Sequence, residues 1–417
     1  MPETSRDIRD GSRRAADDRC PGVLRLAEAA DGYLARVRLP GGLVTGAQLR
    51  VLAGLAGELG DGRVELTSRG NVQLRALAAG SAGPLTAALT DAGLLPSLDH
   101  DRVRNVLASP LAGLDGGGDL TGLVRALDAG LCARPRLAGL PGRFLFAIDD
   151  GRGDVAGLGA DVVAEVRPDG AVVSGLAVSG HADRVVAVML AFAEAFLDER
   201  AAGAGTPWRI ADLPDGAAER IRAAVAGRFA LAAAPLPSAE QDQEQDRDQD
   251  QDHEPEYRAS ALRPVGVVRC PVESDGPQTP RSVPHHGFDS AVLIAPLGRL
   301  TAAQATWLSD HTTDRQARIT PWRSVVLPDQ PDPGETLRGA AHLGFGVDDS
   351  SPWLRVTACA GRPGCASALA DVQSDAAAFA ARWPGRIVHV SGCGRHCGRP
   401  AATEIDVTAT SEGYQVA

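Results

Sequence analysis

Apolar and polar positions alternate with two different periods along this chain, and the switches between them mark its elements. From Tyr33 to Leu39 they alternate singly, as on a half-buried strand. From Ala47 to Leu59 the spacing of Leu49, Leu52, Leu55 and Leu59 is helical. Alternation resumes from Arg63 to Leu77 and predicts one strand with two unlike faces. Its odd positions are Arg63, Glu65, Thr67, Arg69, Asn71, Gln73 and Arg75, and its even positions are mostly apolar. Beyond these, the pattern predicts an extended segment Val103–Leu107, a helix over Leu120–Leu131 and a strand Arg143–Asp149. The hairpin DVVAEVRPDGAVVSG and a helix Ala182–Arg200 follow.

The strand–turn–helix–strand unit occurs twice. Arg19-Cys20-Pro21 matches Arg269-Cys270-Pro271, and PGGLVTGAQ (Pro40 to Gln48) aligns without gaps to PLGRLTAAQ (Pro296 to Gln304). TSRGNVQL (Thr67 to Leu74) faces TPWRSVVL (Thr320 to Leu327). Three matches in the same order indicate a duplicated α+β unit of the ferredoxin-like kind. The block after the second unit, from Trp353 onward, answers to the one after the first.

Composition adjusts this picture in three places. The net charge of −11 is concentrated: Ser238 to Glu256 (SAEQDQEQDRDQDQDHEPE) alone carries −8. That Gln/Asp tract cannot bury a core and reads as a self-repelling disordered linker, and its acidity argues against nucleic acid as a partner. All 42 basic residues are arginine, so every cationic contact is a planar fork suited to carboxylates. The N-terminal MPETSRDIRDGSRRAADDRC has no apolar core of a secretory signal. The longest apolar stretch, Val185 to Leu197, is too short for a bilayer and contains Glu194. A cytoplasmic protein without a membrane partner is the expectation.

The chemistry lies in four cysteines: Cys359 and Cys365 in CAGRPGC, Cys393 and Cys397 in SGCGRHC. Two glycine-rich loops with C-x5-C and C-x3-C spacing suit an iron–sulfur cluster, with one thiolate per iron of a [4Fe–4S] cube. Structural zinc prefers tighter pairs, and a disulfide requires an oxidising compartment. The odd face of Arg63–Arg75 reads either as a solvated sheet face or as a cradle for a polyanion, through Arg69, Asn71, Gln73 and Arg75. Arg318 and Thr320 continue it in the second half. Arg323 lies one place out of register with Arg69, so a bulge near Pro321 is expected to bring it to the same site. His285, His286, His389 and His396 are weak ligand candidates, and Cys20 and Cys270 read as buried structural thiols. Gly151, Gly153, Gly157 and Gly159 read as turns, so no nucleotide site is expected.

The cysteine pattern together with TSRGNVQLR, VRNVLASPLAG and LPGRF, in that order, resembles the nitrite/sulfite reductase superfamily over about residues 20–417 outside the linker. The resemblance implies a duplicated architecture with two ferredoxin-like half-domains (20–100 and 259–345) and two larger α+β domains (101–236 and 346–417). The tail 1–19 and the linker 237–258 are expected to be disordered. It implies a [4Fe–4S] cluster on Cys359, Cys365, Cys393 and Cys397, and anion-binding roles for Arg69, Arg104 and Arg143. Two departures matter: Leu145 stands where siroheme reductases carry a second lysine, and SGCGRHCGRP replaces their GCPNSCG-like loop. Both, with the early end of the chain, resemble the superfamily's branch in aerobic cobalamin biosynthesis. That branch implies a monooxygenase acting on precorrin-3A with O2 and an external electron donor (NADH through a reductase, or a ferredoxin), with a mononuclear non-haem iron besides the cluster. The other readings are a siroheme-dependent nitrite or sulfite reductase and a non-catalytic iron–sulfur carrier or sensor.

Overall fold

A computed structural model describes residues 20–203, 206–234, 265–270 and 289–417. The tail 1–19, the acidic linker, His285 and His286 lie outside the described residues.

Each repeated motif performs a definable task. Pro40 and Pro296 open a short 3-10 turn, and Gly42 and Gly298 sit in the left-handed region at φ 69° and 73°. Thr45 and Thr301 then cap the helices Gly46–Leu59 and Ala302–Asp310, with Gln48 and Gln304 closing a capping box on each. Each glutamine also donates to a later backbone carbonyl, that of Ala92 or Leu343. The shared P-x-G-x-x-T-x-A-Q is therefore a helix-start device built twice.

The two units are interlocked. One five-stranded antiparallel sheet runs Ala27–Ala29, Gly32–Val37, Val72–Leu77, Arg63–Leu66 and ends on Arg299–Thr301 from the second unit. Its counterpart runs Gly266–Val268, Ser290–Ile294, Ser324–Leu327, Ala317–Ile319 and ends on Leu43–Val44 from the first. The two capped helices pack against each other, and one apolar core draws on both units, from Leu49, Leu52 and Leu74 to Leu293, Leu308 and Val325.

Two further sheets carry the larger domains, again as copies. In the first, Val106–Ala108, Phe146–Asp149 and Val162–Arg167 are parallel, and Gly170–Val173 and Leu176–Val178 return antiparallel. In the second, Val356–Ala358, Val388–Ser391 and Ile405–Thr410 are parallel, and Gly413–Val416 returns antiparallel. A helix bridges the first two strands of each, Thr121–Cys132 in one and Val372–Arg382 in the other. The registers superpose Ala108 on Ala358 and Ile148 on Val390, so the duplication extends past the half-domains. Ala182–Ala202 covers the first sheet, and Ala217–Phe229 packs against that helix.

Two sequence expectations are corrected. Arg63–Leu77 is a hairpin, Arg63–Leu66 and Val72–Leu77, rather than one strand. The Thr67 amide bonds the Asn71 carbonyl at 2.9 Å, and Gly70 takes φ 62° at the tip. The turn preserves side-chain parity, so Glu65 and Gln73 face each other across it; unbroken alternation concealed the reversal. The second unit repeats the turn from Thr320 to Ser324, with Arg323 at φ 59° in the place of Gly70. Arg323 thus answers to Gly70 and not to Arg69, and the segment Thr320 to Ser324 is this tight turn in place of the bulge near Pro321 expected to bring Arg323 into line with Arg69.

Candidate functional site

The four cysteines stand on two loops at the carboxyl ends of adjacent parallel strands, where such sheets commonly present ligand sites. Cys359 follows Ala358 and Cys393 follows the strand ending at Ser391. The Gly392 amide donates to Cys359 Sγ at 3.1 Å, and Gln373 Nε2 holds the Cys359 carbonyl at 2.5 Å. Gly361, at φ 61°, has no room for a Cβ beside Val372. All four thiols are free. Burial, then the neighbouring Cys359, Cys393 and Cys365, push the Cys397 thiol up. Four thiol donors on two loops at one end of one sheet fit a cluster with one iron per thiolate.

The first half shows what the same position holds without cysteines. Ser109 replaces Cys359: its amide bonds the Ile148 carbonyl at 3.1 Å, as that of Cys359 bonds Val390 at 3.1 Å. The Asp150 amide donates to Ser109 Oγ at 3.2 Å, where Gly392 donates to sulfur. Asp149, Asp150 and Asp154 gather there within 4.8 Å. Asp149 is spent on the amides of Gly151, Gly153, Val155 and Ala156, and Arg152 grips Asp150 and Asp115. Asp154 accepts from Ser109 Oγ at 2.5 Å, and burial first, then Asp149, push its pKa to about 7. This trio does not fit an iron site, because arginine and backbone donors already fill it.

The arginines divide into two groups. In the first, Arg69 is largely buried at the hairpin tip, with Nη1 3.4 Å from the Gly142 carbonyl. Burial, then Arg209 and Arg36, lower its pKa to about 10. Arg38 is 2% exposed and lowered to about 9, by burial and then by Arg36. Its Nε and Nη2 donate to the Arg102 carbonyl and its Nη2 also to that of Pro21, while its Nη1 has no hydrogen-bond partner. Arg143 stacks on Trp208 with its guanidinium carbon 4.6 Å from the ring, beside Arg209, which pairs with Asp161 at 2.7 Å. Arg36, Arg38 and Arg209 were missed by sequence reasoning. Arg36 and Arg38 share the alternation of the strand facing Gln73, a signal that was present, whereas nothing local marked Arg209.

The second group is committed to the protein. Arg104 donates twice to Asp128 at 2.7 Å and once to the Leu94 carbonyl at 2.9 Å. Asn71, fully buried, accepts from the Leu39 amide and donates to Asn105. Gln73 links Arg36 to Glu65. Arg75 binds Asp31 and the Gly364 carbonyl. Arg318 holds the carbonyls of Pro110 and Ala112, both at 2.7 Å. Arg323 lies over Gly298 and within electrostatic reach of His389. His389 is buried against Thr357 Oγ1 at 2.8 Å, and burial lowers its pKa to about 4. His396 pairs with Asp406 at 3.0 Å. Leu145 belongs to a small apolar cluster with Leu107, Ala147, Val155 and Leu158.

Comparison with known proteins agrees with this architecture. Residues 26–92 match the nitrite/sulfite reductase ferredoxin-like half domain. The Mycobacterium tuberculosis NirA protein superposes with a TM-score of 0.67 at 20% identity, covering 92% of this chain and 73% of that one. A ferredoxin–nitrite reductase from Leptolyngbya laminosa is 33% identical over 36% of this chain, which is 29% of its own length. The chain thus has the nitrite/sulfite reductase-like fold, as its motifs implied. A precorrin-3B synthase from Sinorhizobium sp. is 26% identical over 95% of this chain and 81% of that one. The relatives are enzymes, and among the described residues no helix is long and apolar enough to cross a membrane.

Proposed function

We propose that the protein is a precorrin-3B synthase, hydroxylating precorrin-3A at C20 with O2 and closing a γ-lactone from the ring A acetate, in the cytoplasm. The observation that carries this is the buried arginine group around Arg38 and Arg69: Arg38 is 2% exposed with its Nη1 lacking a hydrogen-bond partner, and burial first, then the neighbouring Arg36 and, for Arg69, Arg209, lower both pKa values. Arg209 already pairs with Asp161, and a precorrin, rimmed with acetates and propionates that bidentate forks match, would supply anions to the others. Arg69 and Arg143 would hold the rim, and Trp208 fixes the guanidinium plane of Arg143. Leu145 contributes no charge at the position where a small-anion reductase places one.

Cys359, Cys365, Cys393 and Cys397 would hold the [4Fe–4S] cluster, which when bound supplies single electrons from an external donor, NADH through a reductase or a ferredoxin. In the overall reaction one oxygen atom of O2 enters the substrate. The other leaves as water with two electrons and two protons. Among the described residues no side-chain set fits the mononuclear iron, so no step is assigned to it.

The test uses precorrin-3A, a reductant and isotopically heavy O2. One labelled hydroxyl oxygen is expected, with the lactone oxygens unlabelled and no siroheme in the purified protein. Siroheme together with robust nitrite or sulfite turnover would establish the reductase instead.

A further inference from the structure

Arg75 spans two parts of the molecule that are far apart in sequence. It stands on the strand Val72–Leu77 of the first half-domain, and its Nη2 donates at 2.9 Å to the carbonyl of Gly364, between Cys359 and Cys365. Its Nε and Nη2 also bind Asp31, at 3.1 and 3.0 Å. The side chains of Arg75 and Asp31 are only 10% and 9% exposed, so water competes weakly for these bonds. A Cβ on Gly364 would stand 2.7 Å from Arg75 Nη2 and 3.4 Å from Asp31 Oδ2. Glycine is what lets the loop backbone reach the guanidinium.

The opposite half shows that such a crossing is an architectural device. Arg318, on the second half-domain, holds Pro110 and Ala112 in the loop that begins at Ser109, the position answering to Cys359. Each half-domain thus sends one arginine to the backbone of the strand-end loop belonging to the other half's larger domain. In the first half that loop holds only protein contacts; in the second it holds two of the four thiols.

We propose that Arg75, fixed by Asp31, is a positioning residue for the cluster: it sets the CAGRPGC loop by gripping the Gly364 carbonyl, and it does not bind substrate. The pair with Asp31 is neutral overall, so its action is geometric. This rests on the reading that the four cysteines hold a cluster, and the experiment separates the two ideas.

The full-length chain is prepared unsubstituted and as Arg75→Gln, Asp31→Asn, Gly364→Ala and Cys359→Ser. Three quantities are read: amide hydrogen exchange in 361–366, the rate of cluster loss to a chelator, and the electron paramagnetic resonance of the reduced cluster. Losing a charge-assisted hydrogen bond of this kind corresponds to about tenfold or more in a local equilibrium. Exchange and cluster loss should therefore both quicken about tenfold in Arg75→Gln and Gly364→Ala, with an altered resonance, and by less in Asp31→Asn. Unaltered exchange, retention and resonance in Arg75→Gln overturn the brace. Should Arg75→Gln not fold, Gly364→Ala, which leaves the arginine in place, decides by the same criteria. Full retention in Cys359→Ser, or a chain that takes up no cluster, overturns the cluster reading and with it the positioning role; faster exchange in Arg75→Gln would then mark Arg75 as a brace of the loop alone.

Discussion

Replacing Arg104 distinguishes a residue that binds substrate from one that holds the fold. Its guanidinium makes two 2.7 Å bonds to Asp128 and one of 2.9 Å to the Leu94 carbonyl. The side chains of Arg104 and Asp128 are 4% and 19% exposed. Breaking a buried pair on one side costs about 3–5 kcal/mol, because the remaining charge is stranded. Asp128 can rehydrate in part, which places Arg104→Met near the lower end, about 3 kcal/mol. The first larger domain, 101–236, falls between the sizes that lose about 4–8 °C and about 2–4 °C in Tm per kcal/mol, so calorimetry should show it melting roughly 10 °C lower. The double substitution Arg104→Met with Asp128→Leu removes the stranded charge and should recover most of the loss. An unchanged Tm combined with a tenfold weaker precorrin affinity would refute this and return Arg104 to the substrate site.

Four other outcomes follow from the structure. Arg69→Ala should weaken precorrin binding by about one to two orders of magnitude, the worth of a charge-assisted bond, with iron and sulfide content unchanged; titration by absorbance checks both. Asp154 has its pKa raised from 3.8 to about 7, so the native state binds its proton more tightly than the unfolded chain. Its contribution to stability is therefore fullest below its ordinary pKa and is lost as pH rises to about 7. Asp154→Asn should remove that slope, and identical melting-versus-pH curves for the two proteins would sink this reading. Cys20→Ser and Cys132→Ser should retain a full cluster by iron and sulfide analysis, while Cys393→Ser should not. Exchanging Ala239 to Glu254 for a flexible polar segment of equal length should leave cluster content and turnover nearly unchanged, and a large fall in either would assign the acids a partner.

The sequence made the regular elements legible wherever one face is buried over several residues. The helices Gly46–Leu59 and Thr121–Cys132 lie within a residue of the expected bounds. The cysteine loops were legible because spacing and glycine content are local properties. The strand exchange was not. Leu43–Val44 and Arg299–Thr301 are too short to carry a period, and their partners lie in the opposite unit. The arginines show the same division. Their face on the sheet followed from alternation, but whether each meets a carboxylate, a carbonyl or another arginine is set by residues far along the chain. Asp31 for Arg75 and Pro110 for Arg318 are such partners.

The strand exchange also bears on how this protein comes off the ribosome. Leu43–Val44 has no sheet to join until Ala317–Ile319 has been made, and the edge strand Arg63–Leu66 waits for Arg299–Thr301. The first half-domain must therefore leave the exit tunnel with one edge open and remain so through nearly half of synthesis, an interval in which chaperones or a second nascent copy can claim it. Two separately expressed fragments, cut within the acidic tract, should accordingly be poorly soluble alone and recover the native assembly when produced together.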